Sequence, residues 1–186
     1  MTREPGASTL AGVRYGTIAR FEDPRGAFRE LWRASGYPEE HRFAQANLSS
    51  STAGVLRGLH LHQRQLDHWV VASGRAFVAL VDVRPMLDRD RPSAAPLVET
   101  RELRADDWVD IPIGVAHGFL AMERLDLVYL VTNEYDGTDE LGFSWDDPLA
   151  AVPWPRLPMT AGGQPILSDR DRANPSLGEL VARLRG

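Results

Sequence analysis

The sequence has 186 residues, a formal net charge of −5 and no cysteine. This length suits one well-packed core and is short for two, so residues 1–186 are expected to form a single domain. The missing cysteines exclude disulfides and thiolate chemistry, and the acidic balance argues against a nucleic-acid partner, which would require a basic face.

No stretch of the sequence approaches the roughly 18 apolar residues of a membrane-spanning segment. The first ten residues also lack the apolar run of a signal peptide. These patterns predict a cytoplasmic protein that does not associate with membranes.

Short stretches that alternate apolar and polar residues fill the middle of the chain. In residues 75–84, Phe77, Ala79, Val81 and Val83 recur at every second position, which is the period of a half-buried strand. Similar stretches cover residues 55–62, 68–72, 97–103, 108–111, 117–122 and 126–132, and turn-forming residues fill 85–96, 112–114 and 136–139. Many short strands with few helical patterns predict an all-β sandwich or barrel.

The C-terminal part of the chain departs from this strand pattern. Residues 147–165 contain five prolines, which favours an ordered coil wrapped around the barrel. Asn174 and Pro175 are typical of a helix start, and an apolar stripe follows, formed by Leu177, Leu180, Val181 and Leu184. We therefore predict one short C-terminal helix that packs against the barrel.

Three histidines and one aspartate stand at spacings that place them on one wall of such a barrel. His60 and His62 are two residues apart, so along a strand they face the same side. A short turn at 63–66 would bring Asp67 back beside them, and His117 follows in a Pro-x-Gly-x-x-His pattern. A lone histidine in a strand is more often structural, but this combination favours a pocket inside the barrel.

Both histidine segments resemble the paired motifs of the cupin superfamily, in which a conical antiparallel barrel carries these residues on its inner wall. The first segment matches in spacing, with Asp67 where cupins usually have glutamate. The second segment matches only in its central Pro-x-Gly-x-x-His part. At its two ends, Asp106 stands where glycine is usual and Ala121 where asparagine is usual. The resemblance implies a cupin-type jelly-roll barrel.

Within the cupins, the chain is similar to the dTDP-4-dehydrorhamnose 3,5-epimerase family of nucleotide-sugar epimerases. The similarity runs from about Phe21 to Pro175 and depends on the order and spacing of many short segments. They include Asp23-Pro-Arg25-Gly-Ala-Phe-Arg-Glu30, Gln45-Ala-Asn47, Arg57-Gly-Leu-His60, residues 111–119, Tyr129, Tyr135, Glu140 and residues 167–171. The resemblance implies epimerisation, at C3, C5 or both, of a dTDP-linked 4-keto-6-deoxy sugar.

The resemblance also implies roles for individual residues. His60 matches the general base, Asp171 the carboxylate that orients it, and Tyr129 the acid on the opposite face of the sugar. The positions that hold the nucleotide, diphosphate or sugar correspond to Arg25, Glu30, Gln45, Asn47, Arg57, His117, Tyr135, Glu140 and Arg170. Family members are homodimers in which the N-terminal part of one subunit helps to form its partner's site, and they use no metal or cofactor.

These residue types suit proton transfer at carbon atoms beside a ketone. Histidine has a pKa near neutrality, and a carboxylate partner fixes its tautomer and stabilises the imidazolium. Inversion then requires a proton donor on the other face, which a tyrosine hydroxyl can supply. Arginine suits diphosphate because its planar group donates two hydrogen bonds at once.

Two positions depart from the family pattern. Asp67 stands where the epimerases have a lysine that stabilises the enolate oxygen, and His62 stands where they usually have glutamine. A carboxylate at about 4 Å from that oxygen would cost about 4 kcal/mol at an effective dielectric of about 20. The charge of Asp67 could be neutralised by His62, His68 or Arg64.

The departures leave alternatives to a cofactor-free epimerase. One is a metal-dependent cupin enzyme, such as a dioxygenase or isomerase, with iron, manganese, nickel or zinc bound by His60, His62, Asp67 and His117. In that case His60 could not also serve as the base. The other is a non-catalytic nucleotide-sugar binder.

Overall fold

The computed structural model describes residues 7–156 and 161–186. Its strands are β1 (Arg14–Thr17), β2 (Arg20–Asp23), β3 (Gly26–Arg29), β4 (Gln45–Ser51), β5 (Leu56–Leu61), β6 (Asp67–Ser73), β7 (Arg75–Asp82), β8 (Leu97–Arg104), β9 (Asp107–Ile111), β10 (Val115–Ala121), β11 (Leu125–Val131) and β12 (Leu141–Gly142). The α-helices are α1 (Arg84–Leu87), α2 (Asp169–Arg172) and α3 (Leu177–Arg185), and 3-10 turns cover Ala34–Gly36, Glu39–His41 and Ala161–Gly163. No helix in these ranges is long and apolar enough to cross a membrane.

Two five-stranded antiparallel sheets form the barrel. The first has the strand order β1-β9-β6-β11-β4, and the second has the order β12-β5-β10-β7-β8. Apolar side chains from both sheets meet in one core, for example Val71 and Val109 of the first sheet with Val78 and Leu80 of the second. The prediction of an all-β, cupin-type jelly roll is confirmed.

Helix α3 packs against the outer face of the second sheet. Leu177, Leu180 and Val181 are buried in a cluster with Leu59 and Leu61 of β5. The burial of each such side chain stabilises the fold by about 1.5–3 kcal/mol. The predicted C-terminal helix and its apolar stripe are therefore confirmed.

The predicted cap of this helix was wrong. The side chain of Ser176, rather than Asn174, accepts the backbone N–H of Glu179 at 3.2 Å. The Glu179 carboxylate in turn accepts the backbone N–H of Ser176 at 2.9 Å. This reciprocal pair satisfies two backbone donors that helix formation leaves free, so the helix begins after Ser176.

The seven predicted strands are confirmed with ends shifted by one or two residues, but β1–β4 and β12 were missed. Strand β4 shows why. Its inward-facing positions are Gln45, Asn47 and Ser49, and an inward face made of polar residues has no apolar period. Helix α1 begins at Arg84, the last residue of the predicted strand 75–84, and continues into the region 85–96 that was predicted as a turn. Residues 157–160 of the predicted coil lie outside the described residues.

An irregularity in β5 decides which of its side chains face the barrel interior. His60 pairs with His117 of β10, and Arg57 pairs with Phe119, so a step of three residues on β5 matches a step of two on β10. This bulge lets Arg57 and His60 both face the interior despite their odd spacing. The backbone at Gly58 has a φ of +123°, and a Cβ there would lie 2.6 Å from the Gly118 Cα atom.

We expect Gly58→Ala to destabilise the protein by about 2 kcal/mol or more, because a side chain at this φ is strained and would overlap the β10 backbone. Gly36→Ala is the matched control, since a Cβ at Gly36 meets no atom within 4 Å. The midpoints of urea unfolding check this expectation. Equal midpoints for the two variants would contradict the proposed close approach of β5 and β10.

Candidate active site

A cavity of about 510 Å³ opens between the two sheets. This volume is within the range of small-molecule sites, about 300–1,000 Å³. The first sheet contributes Gln45, Asn47, Ser49, Asp67, Trp69, Leu127, Tyr129 and Val131 to its wall, and the second contributes Arg57, His60, His117 and Phe119. The connection between β5 and β6 adds His62, Arg64 and Gln65. The loop at 133–140 and residues 168–171 complete the wall.

His60 and Asp171 form a hydrogen-bonded pair at this wall. The His60 Nε2 atom lies 2.8 Å from the Asp171 Oδ1 atom. Because a carboxylate oxygen accepts, Nε2 carries the proton and Nδ1 remains the basic nitrogen. Burial by itself would raise the pKa of Asp171, but the hydrogen bond and charge of His60 leave that pKa below its ordinary value. The carboxylate is therefore ionised and holds the imidazole.

The C-terminal segment holds Asp171 in this position. Helix α2 begins after Ser168, whose hydroxyl accepts the backbone N–H of Asp171 at 3.1 Å. Just upstream, Ile166 and Leu56 are joined by a backbone hydrogen bond of 3.0 Å. These contacts tie the segment to the start of β5, the strand that carries His60.

Tyr129 lines the cavity from the opposite sheet. It lies on β11, paired with Asn47 of β4 and Trp69 of β6. Burial raises the pKa of its hydroxyl, and the negative charge of Asp67 raises this pKa further. The phenol is thus protonated at neutral pH and can donate a proton to a bound molecule. The candidate base and the candidate acid therefore stand on facing walls.

Most of the residues predicted to bind substrate lie in the same cavity. These are Gln45, Asn47, Arg57, His117, Tyr135, Glu140 and Arg170. Glu140 Oε2 and Arg170 Nη1 form an ion pair at 2.6 Å. The Gln45 amide accepts the backbone N–H of Tyr135 at 2.9 Å, which links β4 to the loop at the cavity mouth.

The structure does not bring Arg25 and Glu30 into this cavity. Arg25 lies at the turn of the β2–β3 hairpin, where it pairs with Asp23, and its side chain is 89% exposed. Glu30 follows the hairpin and pairs with Arg33 at 2.5 Å. Within one chain, Arg25 lies in the hairpin and Glu30 directly after it, and neither belongs to the cavity wall.

A second polar cluster lies in the wall of the cavity. His62, Asp67 and His117 are buried and have ligand atoms within 4.8 Å of one another. The structure thus groups three of the four residues of the alternative metal set, and His60 lies outside this group, hydrogen-bonded to Asp171. Burial lowers the pKa of His117 to about 4 despite the nearby charge of Asp67, so its imidazole is neutral at pH 7.

Two of the predicted partners of Asp67 make other contacts. His68, the next residue on β6, has Nδ1 2.6 Å from Asp110 Oδ1. The guanidinium of Arg64 donates to Thr138 Oγ1 at 2.5 Å. Successive residues of a strand point to opposite faces, so His68 cannot reach the side of the sheet that Asp67 occupies.

Sequence reasoning missed several residues of this cluster. Trp69 lines the cavity as well as packing in the core, and its indole N–H donates to Asp67 Oδ2 at 3.0 Å. Gln65 donates to the other oxygen at 2.8 Å. The backbone carbonyl of Asp139 accepts from His62 Nδ1 at 2.6 Å. The available signal was the i, i+2 spacing of Gln65, Asp67 and Trp69, of which Asp67 and Trp69 share one face of β6.

Comparison with known proteins identifies the family. Residues 7–179 match the family described as dTDP-4-dehydrorhamnose 3,5-epimerase. The chain belongs to this family. The dTDP-4-dehydrorhamnose 3,5-epimerase of Mycobacterium tuberculosis (strain CDC 1551 / Oshkosh) is 34% identical over 171 residues, which cover 86% of this chain and 80% of that protein.

Solved structures of epimerases share the fold. The Mycobacterium tuberculosis rmlC epimerase has a TM-score of 0.82 and 31% identity, and the match covers 96% of this chain and 90% of that one. The RmlC epimerase of Legionella pneumophila Philadelphia 1, solved in complex with dTDP-4-keto-L-rhamnose, has a TM-score of 0.80 and 30% identity, with 95% and 94% covered. Epimerases are isomerases, and this chain is an enzyme of that class.

The His60–Asp171 pair predicts a pH dependence of stability. Folding lowers the pKa of Asp171. The ionised carboxylate therefore contributes its full stabilisation at pH values above its pKa in the unfolded chain, which is about 3.9. This contribution is lost as the pH falls through the lower pKa of the folded protein. We expect Asp171→Asn to cost about 1.5–3 kcal/mol at about pH 6 and less at about pH 3.

Urea unfolding of the wild type and the variant at both pH values measures this difference. Asp169→Asn is the control, because Asp169 is on the same helix but fully exposed. A cost that is the same at both pH values, or an equal cost for the control, would contradict the ionised pair.

Proposed function

We propose that this chain epimerises a dTDP-linked 4-keto-6-deoxy sugar, at C3, C5 or both, by removing a proton on one face and returning it on the other. The observation that carries the proposal is the placement of the His60–Asp171 pair and the Tyr129 hydroxyl on facing sheets of one cavity. A sugar ring between the two sheets would present one face to each group.

The proposed step begins at a carbon beside the C4 ketone. Its proton moves to His60 Nδ1, and the C–H electron pair forms the enolate, whose charge rests on the ketone oxygen. Asp171 stabilises the resulting imidazolium through the hydrogen bond at Nε2. The enolate carbon then takes a proton from the Tyr129 hydroxyl on the opposite face. Exchange with water reprotonates the phenolate and deprotonates the imidazolium.

This sequence of proton transfers needs no redox cofactor, because no electrons leave or enter the sugar. The groups that move protons are side chains of the chain itself. We therefore propose that the reaction proceeds without an organic cofactor.

The polar mouth of the cavity suits the nucleotide and the diphosphate. Arg57 and Arg170 line it together with the amides of Gln45 and Asn47. Guanidinium groups bind phosphate oxygens through paired hydrogen bonds, so these arginines are the proposed diphosphate ligands. The loop at 133–140 places the exposed Tyr135 ring at the same mouth.

We also propose that two copies of the chain form a homodimer. Phe21 and Phe28 face each other across the β2–β3 hairpin and are 62% and 68% exposed. Large apolar side chains paired on a projecting hairpin are typical of an interface. A partner that receives this hairpin would gain Arg25 and Glu30, which explains why the matching residues lie outside the cavity of their own chain.

A cytoplasmic location stays a prediction from the sequence.

Incubation with dTDP-4-keto-6-deoxyglucose in deuterated water tests the activity. We expect deuterium at C3, C5 or both, and a rate at least about 100-fold lower for His60→Asn because the base is missing. His41→Asn is the matched control, since His41 lies in a 3-10 turn outside the cavity. Mass spectrometry and proton NMR measure the label. A wild-type protein that incorporates no deuterium at either carbon would rule out the proposal.

Light scattering after size-exclusion chromatography tests the homodimer. We expect a dimer for the wild type and a shift toward monomer for Phe21→Ser with Phe28→Ser, because the interface loses two apolar anchors. The control is Leu97→Ser on β8, which removes an exposed apolar side chain outside the hairpin. A monomeric wild type, or a double variant that dimerises as well as the control, would contradict the interface.

A further inference from the structure

Asp67 is a buried carboxylate that lacks a strong cationic partner. It is 3% exposed and accepts hydrogen bonds from two neutral donors, the Gln65 amide and the Trp69 indole. Within residues 7–156 and 161–186, its ion-pair contact is with His117, at 3.6 Å. A buried charge is costly unless a countercharge lies beside it. A cation bound beside Asp67 would offset the cost of burying its charge.

The two neighbouring imidazoles are oriented as cation ligands. His62 Nδ1 lies 2.6 Å from the Asp139 carbonyl oxygen, and His117 Nδ1 lies 3.2 Å from the Val115 carbonyl oxygen. A carbonyl oxygen only accepts, so both Nδ1 atoms carry a proton and both Nε2 atoms are left with a lone pair. Backbone carbonyls fix metal-binding histidines in this way.

The contact between His117 and Asp67 supports the same conclusion. The His117 Nε2 atom faces the Asp67 Oδ2 atom at 3.6 Å, which is too long for a hydrogen bond. With the proton on Nδ1, a nitrogen lone pair is directed at a carboxylate, and this arrangement is repulsive without a positive charge between them. Two ligands of one metal ion would face each other in this way, whereas a satisfied structural pair would share a proton across a shorter contact.

We propose that His62, Asp67 and His117 bind a divalent metal ion at the wall of the cavity. Two imidazoles and one carboxylate suit zinc, iron, nickel or manganese. Their ligand atoms lie within 4.8 Å of one another. Two donors at about 2.1 Å from one ion can be at most about 4.2 Å apart, so small side-chain rotations close the site. Three protein ligands leave a coordination position for a substrate oxygen.

The site lies next to the proposed base without including it. His117 of β10 is the direct pairing partner of His60 of β5, so the ion would sit one side chain away from the base. Its catalytic role rests on the proposed function. The ion would polarise the ketone oxygen of the sugar and stabilise the enolate, which the charge of Asp67 alone would repel. His60 keeps its bond to Asp171 and its role in proton transfer.

Metal titration tests the site independently of catalysis. Chelator-treated protein is titrated with zinc chloride by calorimetry, and with cobalt chloride by visible absorption. We expect one ion per chain, with an absorption band of cobalt bound to nitrogen and oxygen ligands. We expect Asp67→Asn and His62→Gln each to weaken metal binding by at least about 10-fold. Changing residues that only hydrogen-bond to metal ligands already lowers metal affinity by about 10- to 100-fold.

Two control variants locate the ion. His60→Asn keeps the affinity because His60 lies outside the group, and His41→Asn keeps it because His41 is remote from the cavity. Circular dichroism checks that each variant folds, and His62→Gln remains informative if Asp67→Asn does not fold. Substoichiometric binding by the wild type, unchanged affinity in His62→Gln, or an affinity lost in His60→Asn would overturn the site.

Deuterium exchange by metal-free and metal-loaded protein separates this proposal from the proposed function. We expect exchange to be faster with the ion bound. Exchange without metal binding overturns the metal site and leaves the epimerase intact. Metal binding without exchange under either condition supports the site and overturns the epimerase.

Discussion

The hydrogen bond between His60 and Asp171 is the interaction on which the rest of the site depends. At 2.8 Å it fixes the proton of the imidazole on Nε2 and leaves Nδ1 free to act as a base. Without the carboxylate, the neutral ring could adopt either tautomer and either orientation. The proton transfer proposed for this chain requires one defined basic nitrogen.

That bond joins parts of the chain that are distant in sequence. His60 lies on β5, and Asp171 lies on α2 near the C-terminus. The backbone hydrogen bond between Leu56 and Ile166 ties the chain to the barrel before α2, and the packing of α3 on the second sheet ties it after α2. The C-terminal segment is therefore part of the site and not only a cover for the core.

The jelly roll supplies the second requirement, which is access to both faces of a planar intermediate. Its two sheets place Tyr129 opposite the strand that carries His60. The bulge at Gly58 adds Arg57 to the same wall as His60. A flat sheet could present these groups to one face of a sugar only, whereas facing sheets enclose it.

Sequence periodicity predicted the parts of the fold in which apolar and polar residues alternate. It placed His60 and His62 on one face, and the turn at 63–66 returned Asp67 to His62 and His117. It failed for β4, because Gln45, Asn47 and Ser49 face a polar cavity instead of the core.

Other contacts depend on three-dimensional proximity that no local pattern encodes. The pairing of His68 with Asp110 joins β6 to β9, and the carbonyl of Asp139 reaches His62 across 77 residues. The role of Trp69 was missed because a buried indole in a strand resembles core packing whether or not it lines a cavity. Motif resemblance supplied Asp171 and Tyr129, which periodicity could not have selected.

The most direct test of the central claim is the behaviour of Tyr129→Phe in deuterated water. If His60 and Tyr129 act on opposite faces, this variant still removes and returns a proton through His60. The starting sugar then gains deuterium while inverted product falls by at least about 100-fold. Two results would contradict the account: inverted product formed at the wild-type rate, or the loss of both deuterium exchange and inverted product.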